Sequence, residues 1–112
     1  MRYEENQIQE ALVRYVRTRY PTTLFTCAPS YAKDARTGAR NKKMGYLKGF
    51  PDLFFAYPMG GYYGLFLEIK TATGKESKEQ KEIREQLNMH NYKSIVCYGL
   101  DAAIKAVDNY LK

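Results

Sequence analysis

Asp52, Glu68 and Lys70 are the residues of this chain whose types and spacing could do chemistry together. They lie in Gly49-Phe50-Pro51-Asp52 and Leu67-Glu68-Ile69-Lys70. Two carboxylates and an ammonium are the groups needed to hold a hard divalent cation beside a phosphodiester. That chemistry requires the two segments to meet.

Residues 52–57 and 62–71 read as strands. Pro58-Met59-Gly60-Gly61 reads as the turn between them, giving a β-hairpin with a four- or five-residue connection. The hairpin carries Asp52 back alongside Glu68. Within 62–71, Leu65, Leu67 and Ile69 share one face, and Phe66, Glu68 and Lys70 the other. Glu68 and Lys70 are then about 7 Å apart along the strand. Each segment also has a plain reading: a surface Glu–Lys pair on a half-exposed sheet, and a Pro-Asp turn.

Residues 28–48 are the second constellation. Lys33, Arg36, Arg40, Lys42, Lys43 and Lys48 stand against Asp34 alone, a net of +5 out of the +6 of the whole chain. Charge focused in this way suits a polyanionic partner, although a solvated charge cluster would look the same. Arg40, Lys42, Lys43 and Lys48 are the best candidates for contacts to DNA phosphates. Tyr31 and Tyr46 could stack on splayed bases. The segment holds Pro29, Gly38 and Gly45 and shows no period, so it reads as a 21-residue basic loop.

The remaining pattern supplies a scaffold. Residues 4–19 form an amphipathic helix burying Ile8, Ala11, Leu12, Tyr15, Val16 and the stem of Arg19, with Glu4 and Glu5 in its first turn and Pro21 after it. Residues 22–27 read as a short strand. Ser77 and Gln80 make a capping box for a helix over 77–90, striped by Ile83, Leu87 and His90. Asn91 can take the left-handed conformation that ends it. Residues 93–98 form a fourth strand, and Asp101 caps a last helix burying Ile104, Val107, Tyr110 and Leu111. This order predicts an α/β fold with a small mixed sheet flanked by helices, in which the last hairpin strand, helix and final strand make one right-handed crossover.

The chain has 112 residues, 45% of them hydrophobic, which predicts one domain spanning 1–112. No apolar run approaches a membrane span and no leader is visible, so a soluble intracellular protein with no membrane partner is expected. Cys27 and Cys97 have no metal-ligand spacing and read as small buried residues. His90 reads as a helix-end residue rather than a catalyst.

Gly49-x-Pro51-Asp52 followed by Glu68-x-Lys70 resembles the core of the PD-(D/E)xK nuclease superfamily. With Glu5 three residues before Ile8, Gly74-x-x-Ser77-x-x-Gln80 downstream and Asn91-Tyr92 before the last strand, the chain looks like a stand-alone VRR-NUC domain. The likeness covers roughly residues 4–99; Asn stands at 91 where Gly is more usual. It implies a restriction-endonuclease-like α-β-β-β-α-β core with a C-terminal helix. It also implies a metal-dependent DNA endonuclease selective for branched DNA, either four-way (Holliday) junctions or flaps. Asp52 and Glu68 would bind Mg²⁺ or Mn²⁺, with the Ile69 carbonyl and Glu5 as further ligands. Lys70 would position or deprotonate water, and Gln80 would hold water or phosphate. Glu5 also reads as a helix-dipole charge, and Gln80 as a cap alone. Stand-alone relatives of this kind are small, often viral and dimeric, so a homodimer in the cytoplasm of a bacterial or phage-infected cell is expected. Alternatives are a non-catalytic DNA-binding module and an RNA-directed nuclease.

Overall fold

The structure, a computed structural model, describes residues 4–28 and 35–112. Its elements in chain order are α1 (Glu5–Arg19), β1 (Phe25–Cys27), α2 (Ala35–Lys43), β2 (Leu53–Phe55), β3 (Leu65–Lys70), α3 (Lys78–Met89), β4 (Lys93–Tyr98) and α4 (Leu100–Leu111). The four strands make one mixed sheet in the order β1-β2-β3-β4. β1, β2 and β3 are antiparallel neighbours, and β4 runs parallel to β3 after the α3 crossover. This is the α/β architecture expected from the order of elements.

β3 is the centre of the molecule, and all six of its residues are buried. On one face Leu65, Leu67 and Ile69 pack with Leu53 and Phe55 of β2 against Ile8, Leu12 and Val16 of α1 and Ala103, Val107 and Tyr110 of α4. Burying each such side chain contributes roughly 1.5–3 kcal/mol against an equally large loss of chain entropy. Asp108 of α4 staples the two helices by accepting from the hydroxyls of Tyr15 at 2.7 Å and Tyr20 at 2.6 Å. The opposite face carries a ring cluster. Phe54 stacks on Phe66 at 4.4 Å, with Phe50 and Tyr92 edge-on to Phe66, each at 5.5 Å.

Several expectations need correction. The segment 28–48 is not an irregular loop throughout, because Ala35–Lys43 is helical. α2 has no apolar stripe to read, and among the described residues it packs against no other helix or strand. Its last turn carries Arg40, Lys42 and Lys43, which complement the negative end of the helix dipole. Tyr31 and Lys33 lie outside the described residues.

Cys27 is exposed while Cys97 is buried, because β1 is a three-residue edge strand with one face to solvent. Asp101 does not cap α4. Gly99 is the N-cap, at φ +92°, and Asp101 sits in the first turn, where its charge still suits the dipole. The β2–β3 connection spans nine residues, 56–64, around a Met59–Tyr62 bridge, so both hairpin strands are shorter than their sequence suggests. Arg19 and His90 are exposed rather than packed: Arg19 lies over the Tyr20 ring and His90 is the C-cap of α3. Asn91 takes φ +66°, as its position after α3 requires.

Candidate active site

The hairpin register puts the two acids together. Leu53 pairs with Leu67, so one step outward Asp52 stands opposite Glu68. Asp52 also bridges its neighbours. Its carbonyl accepts from Ala28 N–H at 2.8 Å, and its Oδ2 accepts from Ile69 N–H at 2.6 Å. A further step sets Pro51 opposite Ile69. Proline has no N–H to offer the Ile69 carbonyl, so the ladder partner of that oxygen is missing by residue type.

Glu68 and Lys70 are not a surface pair. Glu68 is 6% exposed and Lys70 8% exposed. Their charges compensate one another at 3.8 Å, between Lys70 Nζ and Glu68 Oε2. A lone charge this deep would be expensive, so the pairing explains how both fit. Gln80, on the third turn position of α3, donates from Nε2 to the same Glu68 Oε2 at 2.8 Å. Both partners therefore meet Oε2, and the other oxygen, Oε1, is buried with no hydrogen-bond partner.

Two facing carboxylates hold protons more tightly than isolated ones. Burial above all, then the charge of Asp52, pushes the Glu68 carboxyl up to about 8; Lys70 pulls it back, and a hydrogen bond with Asp52 and the charge of Glu5 add to the rise. Burial likewise raises Asp52, opposed by the bond from Ile69 N–H and then by Glu68. A cation between the two acids relieves both strains at once. The donor-less Oε1, the hard carboxylate oxygens and the Ile69 carbonyl, which faces a proline, fit a magnesium-like ion, which needs few protein ligands because it keeps several waters.

Glu5 sits exposed at the start of α1. Its charge reaches Asp52 and Glu68, but among the described residues no three acidic, histidine or cysteine side chains gather as a cation site. The candidate DNA contacts are exposed: Arg40, Lys42 and Lys43 on α2, and Lys48 in the turn that leads to Gly49. Tyr46 is also exposed there. An open cavity of about 810 Å³ lies between α1 and the segments that follow β3 and β4, lined in part by Gln7, Arg14, Thr71 and Tyr98 and by none of Asp52, Glu68, Lys70 or Gln80.

The VRR-NUC domain family matches residues 2–101. The chain belongs to that family. A solved VRR-NUC domain protein superposes with a TM-score of 0.83 at 25% identity, covering 97% of this chain and 88% of its own. A second solved VRR-NUC domain gives a TM-score of 0.60 at 20% identity, over 92% of this chain and 97% of its own, which speaks to fold alone. No curated protein matches the chain. The VRR-NUC fold is of the nuclease type, and of the residues that carry its resemblance in sequence the hairpin gathers Asp52, Glu68 and Lys70 here.

Two features of the site escape a reading of sequence. Gly49 lies at φ +88° against the first turn of α3, where a Cβ would meet Glu79 Cβ at 2.8 Å and Gln80 N at 2.9 Å. Gln80 serves the helix cap and Glu68 together, two roles that sequence presents as alternatives. The only signal for the first is a glycine beside a motif, which says nothing of what it touches.

Proposed function

We propose that this chain is a divalent-metal-dependent endonuclease that hydrolyses DNA phosphodiester bonds, with a preference for four-way junctions or flaps. The observation that carries the reading is the Asp52–Glu68 pair, with one Glu68 oxygen buried and unpartnered beside Lys70. Asp52, Glu68 and the Ile69 carbonyl would hold Mg²⁺ or Mn²⁺, with Glu5 acting through water. A bound cation would lower the pKa of the attacking water and neutralise charge on the phosphate. Lys70 places an ammonium beside Glu68, where it orients water and offsets charge on the scissile group. Gln80 holds the far oxygen of Glu68 in place.

α2 supports the substrate assignment. A polar helix ending in three cations, packed on no other element among the described residues, is free to follow a phosphate backbone. Such contacts bind without reading sequence, in keeping with selection by branch structure. We take the acting form to be a cytoplasmic homodimer. Support comes from the β1 edge and from Leu24, Met44 and Leu47, which are 71%, 68% and 63% exposed. Among the described residues no helix is long and apolar enough to cross a membrane.

The test incubates the protein with labelled junction, flap, duplex and single-stranded DNA and with RNA, in Mg²⁺, Mn²⁺ or EDTA. Asp52→Ala and Lys70→Ala run alongside. Cleavage of branched DNA that EDTA and Asp52→Ala both abolish is the expected result. Cleavage surviving either sinks the metal assignment. Binding without cleavage in every metal identifies a DNA-binding module, and preference for RNA identifies an RNA-directed nuclease. Light scattering that shows only monomer overturns the dimer.

A further inference from the structure

We infer that Ser77 is a positioning residue of this site: through the α3 capping box it locks the Gln80 amide so that Glu68 Oε2 is held and Oε1 is left to face a cation. The inference rests on the metal-dependent reading above.

The geometry permits one arrangement of the amide. Gln80 Oε1 accepts from Ser77 N–H at 2.8 Å, and Gln80 N–H donates to Ser77 Oγ at 3.1 Å. These two bonds make the reciprocal box. One end of the side chain is therefore committed to an N–H donor, which only the amide oxygen can meet. The other end faces the Glu68 carboxylate at 2.8 Å, which only the NH₂ can meet. A flipped amide would set oxygen against oxygen and nitrogen against nitrogen, losing both bonds. The cap thus selects the rotamer, and the rotamer selects which carboxylate oxygen is occupied.

The helix end that carries this amide is itself pinned. Arg84 grips Glu76, the residue before the cap, with two bonds of 2.7 and 3.0 Å. Gly49 closes against Glu79 and Gln80 from the other side, with no room for a Cβ. None of these groups is among the residues that would hold the cation. Each acts by holding Gln80, and Gln80 acts by holding Glu68. Partners that orient a ligand carboxylate in this way alter metal affinity by about 10–100-fold.

The experiment compares Ser77→Ala, Ser77→Thr, Gln80→Ala and the Ser77→Ala/Gln80→Ala double variant. The Gln80 side-chain amide is followed by ¹H–¹⁵N NMR, Mg²⁺ affinity by calorimetry, and kcat and KM on the best DNA substrate. Ser77→Ala keeps the N–H that holds Gln80 Oε1 but frees the Gln80 backbone N–H, loosening the turn that carries the amide; it is expected to shift and broaden the Gln80 amide signals and to weaken Mg²⁺ binding about tenfold. It should lower kcat at fixed metal while leaving KM for DNA in place. Ser77→Thr keeps the hydroxyl and should restore all three. In the Gln80→Ala background, Ser77→Ala should weaken Mg²⁺ no further, because residues acting through one another are not additive. Losses that multiply in the double variant overturn the inference. So does Ser77→Ala lowering Tm while the Gln80 signals and Mg²⁺ affinity stay fixed. If wild-type protein binds no divalent cation and cuts nothing, the nuclease reading fails. The NMR arm then decides the positioning alone: signals lost in Ser77→Ala and recovered in Ser77→Thr uphold it, and unchanged signals refute it.

Discussion

Replacing Gly49 with Ala should destabilise the protein by roughly 2–4 kcal/mol, the sum of a backbone and a steric contribution. Gly49 has φ +88°, a conformation that strains an L-residue by about 1 kcal/mol or somewhat more. The new methyl would then stand 2.8 Å from both the carbonyl carbon and Cβ of Glu79 and 2.9 Å from Gln80 N. Two of those three atoms are helix backbone and cannot swing aside, so relief requires the turn or the start of α3 to move. Overpacking of this kind destabilises by about 1–3 kcal/mol. Gly61 is the control: φ is +86°, and nothing lies within 4 Å of a Cβ there. Gly61→Ala should show the backbone contribution alone, about 1 kcal/mol. For a domain of this size each kcal/mol lowers Tm by roughly 4 °C, so the two variants should separate clearly in thermal and urea unfolding. Losses for Gly49→Ala and Gly61→Ala that agree within about 0.5 kcal/mol would refute the reasoning, since the close approach to α3 would then carry no energy.

Other outcomes follow from the same site. Glu68 is raised in the folded state, so folding binds a proton that the unfolded chain releases. Metal-free stability should therefore fall as pH rises from about 4.5 to about 8, by on the order of a few kcal/mol, and 10-fold-excess Mg²⁺ should flatten the decline; a flat metal-free profile contradicts it. Pro51→Ala supplies an N–H opposite the Ile69 carbonyl and should weaken Mg²⁺ binding about tenfold with little loss of Tm; unchanged affinity by calorimetry argues against that carbonyl as a ligand. Lys42→Ala/Lys43→Ala should weaken binding alike on all DNA sequences and reduce the salt slope of log K by about 2; a sequence-selective loss contradicts a phosphate role for α2.

The fold was legible wherever burial imposes a period. α1 shows its stripe because Ile8, Leu12 and Val16 all reach the core, and β3 shows its alternation because Leu65, Leu67 and Ile69 do. α2 shows nothing, because among its described residues none is buried: without a packed face, a helix of Arg, Lys, Asn and Gly has no apolar rhythm, and its glycine reads as a break. The same reasoning explains Cys27. Its strand-like neighbours predict burial, but membership of a three-residue edge strand is a property of the whole sheet and leaves no local mark.

At the site, residue type and order brought Asp52 toward Glu68 and Lys70, and the family resemblance added Gln80, but neither says how they share their atoms. Two charges on one strand face look solvated in sequence, because a surface pair is the common arrangement. Here Gln80 reaches from α3 to Glu68, Asp52 faces it from the neighbouring strand, and the buried pair persists because each oxygen of Glu68 has a separate fate. Oε2 takes Gln80 and the approach of Lys70, while Oε1 has no donor from the protein and lies beside the facing Asp52 carboxylate. A buried carboxylate oxygen without a partner is costly, and burial and the facing Asp52 raise the proton affinity of Glu68. The folded chain thus carries a local penalty that either a proton or a cation can remove, and the two must compete for it. Mg²⁺ affinity should accordingly increase with pH up to about 8 and level off above it. An affinity independent of pH across that interval would mean that the cation, if it binds, does so away from Glu68.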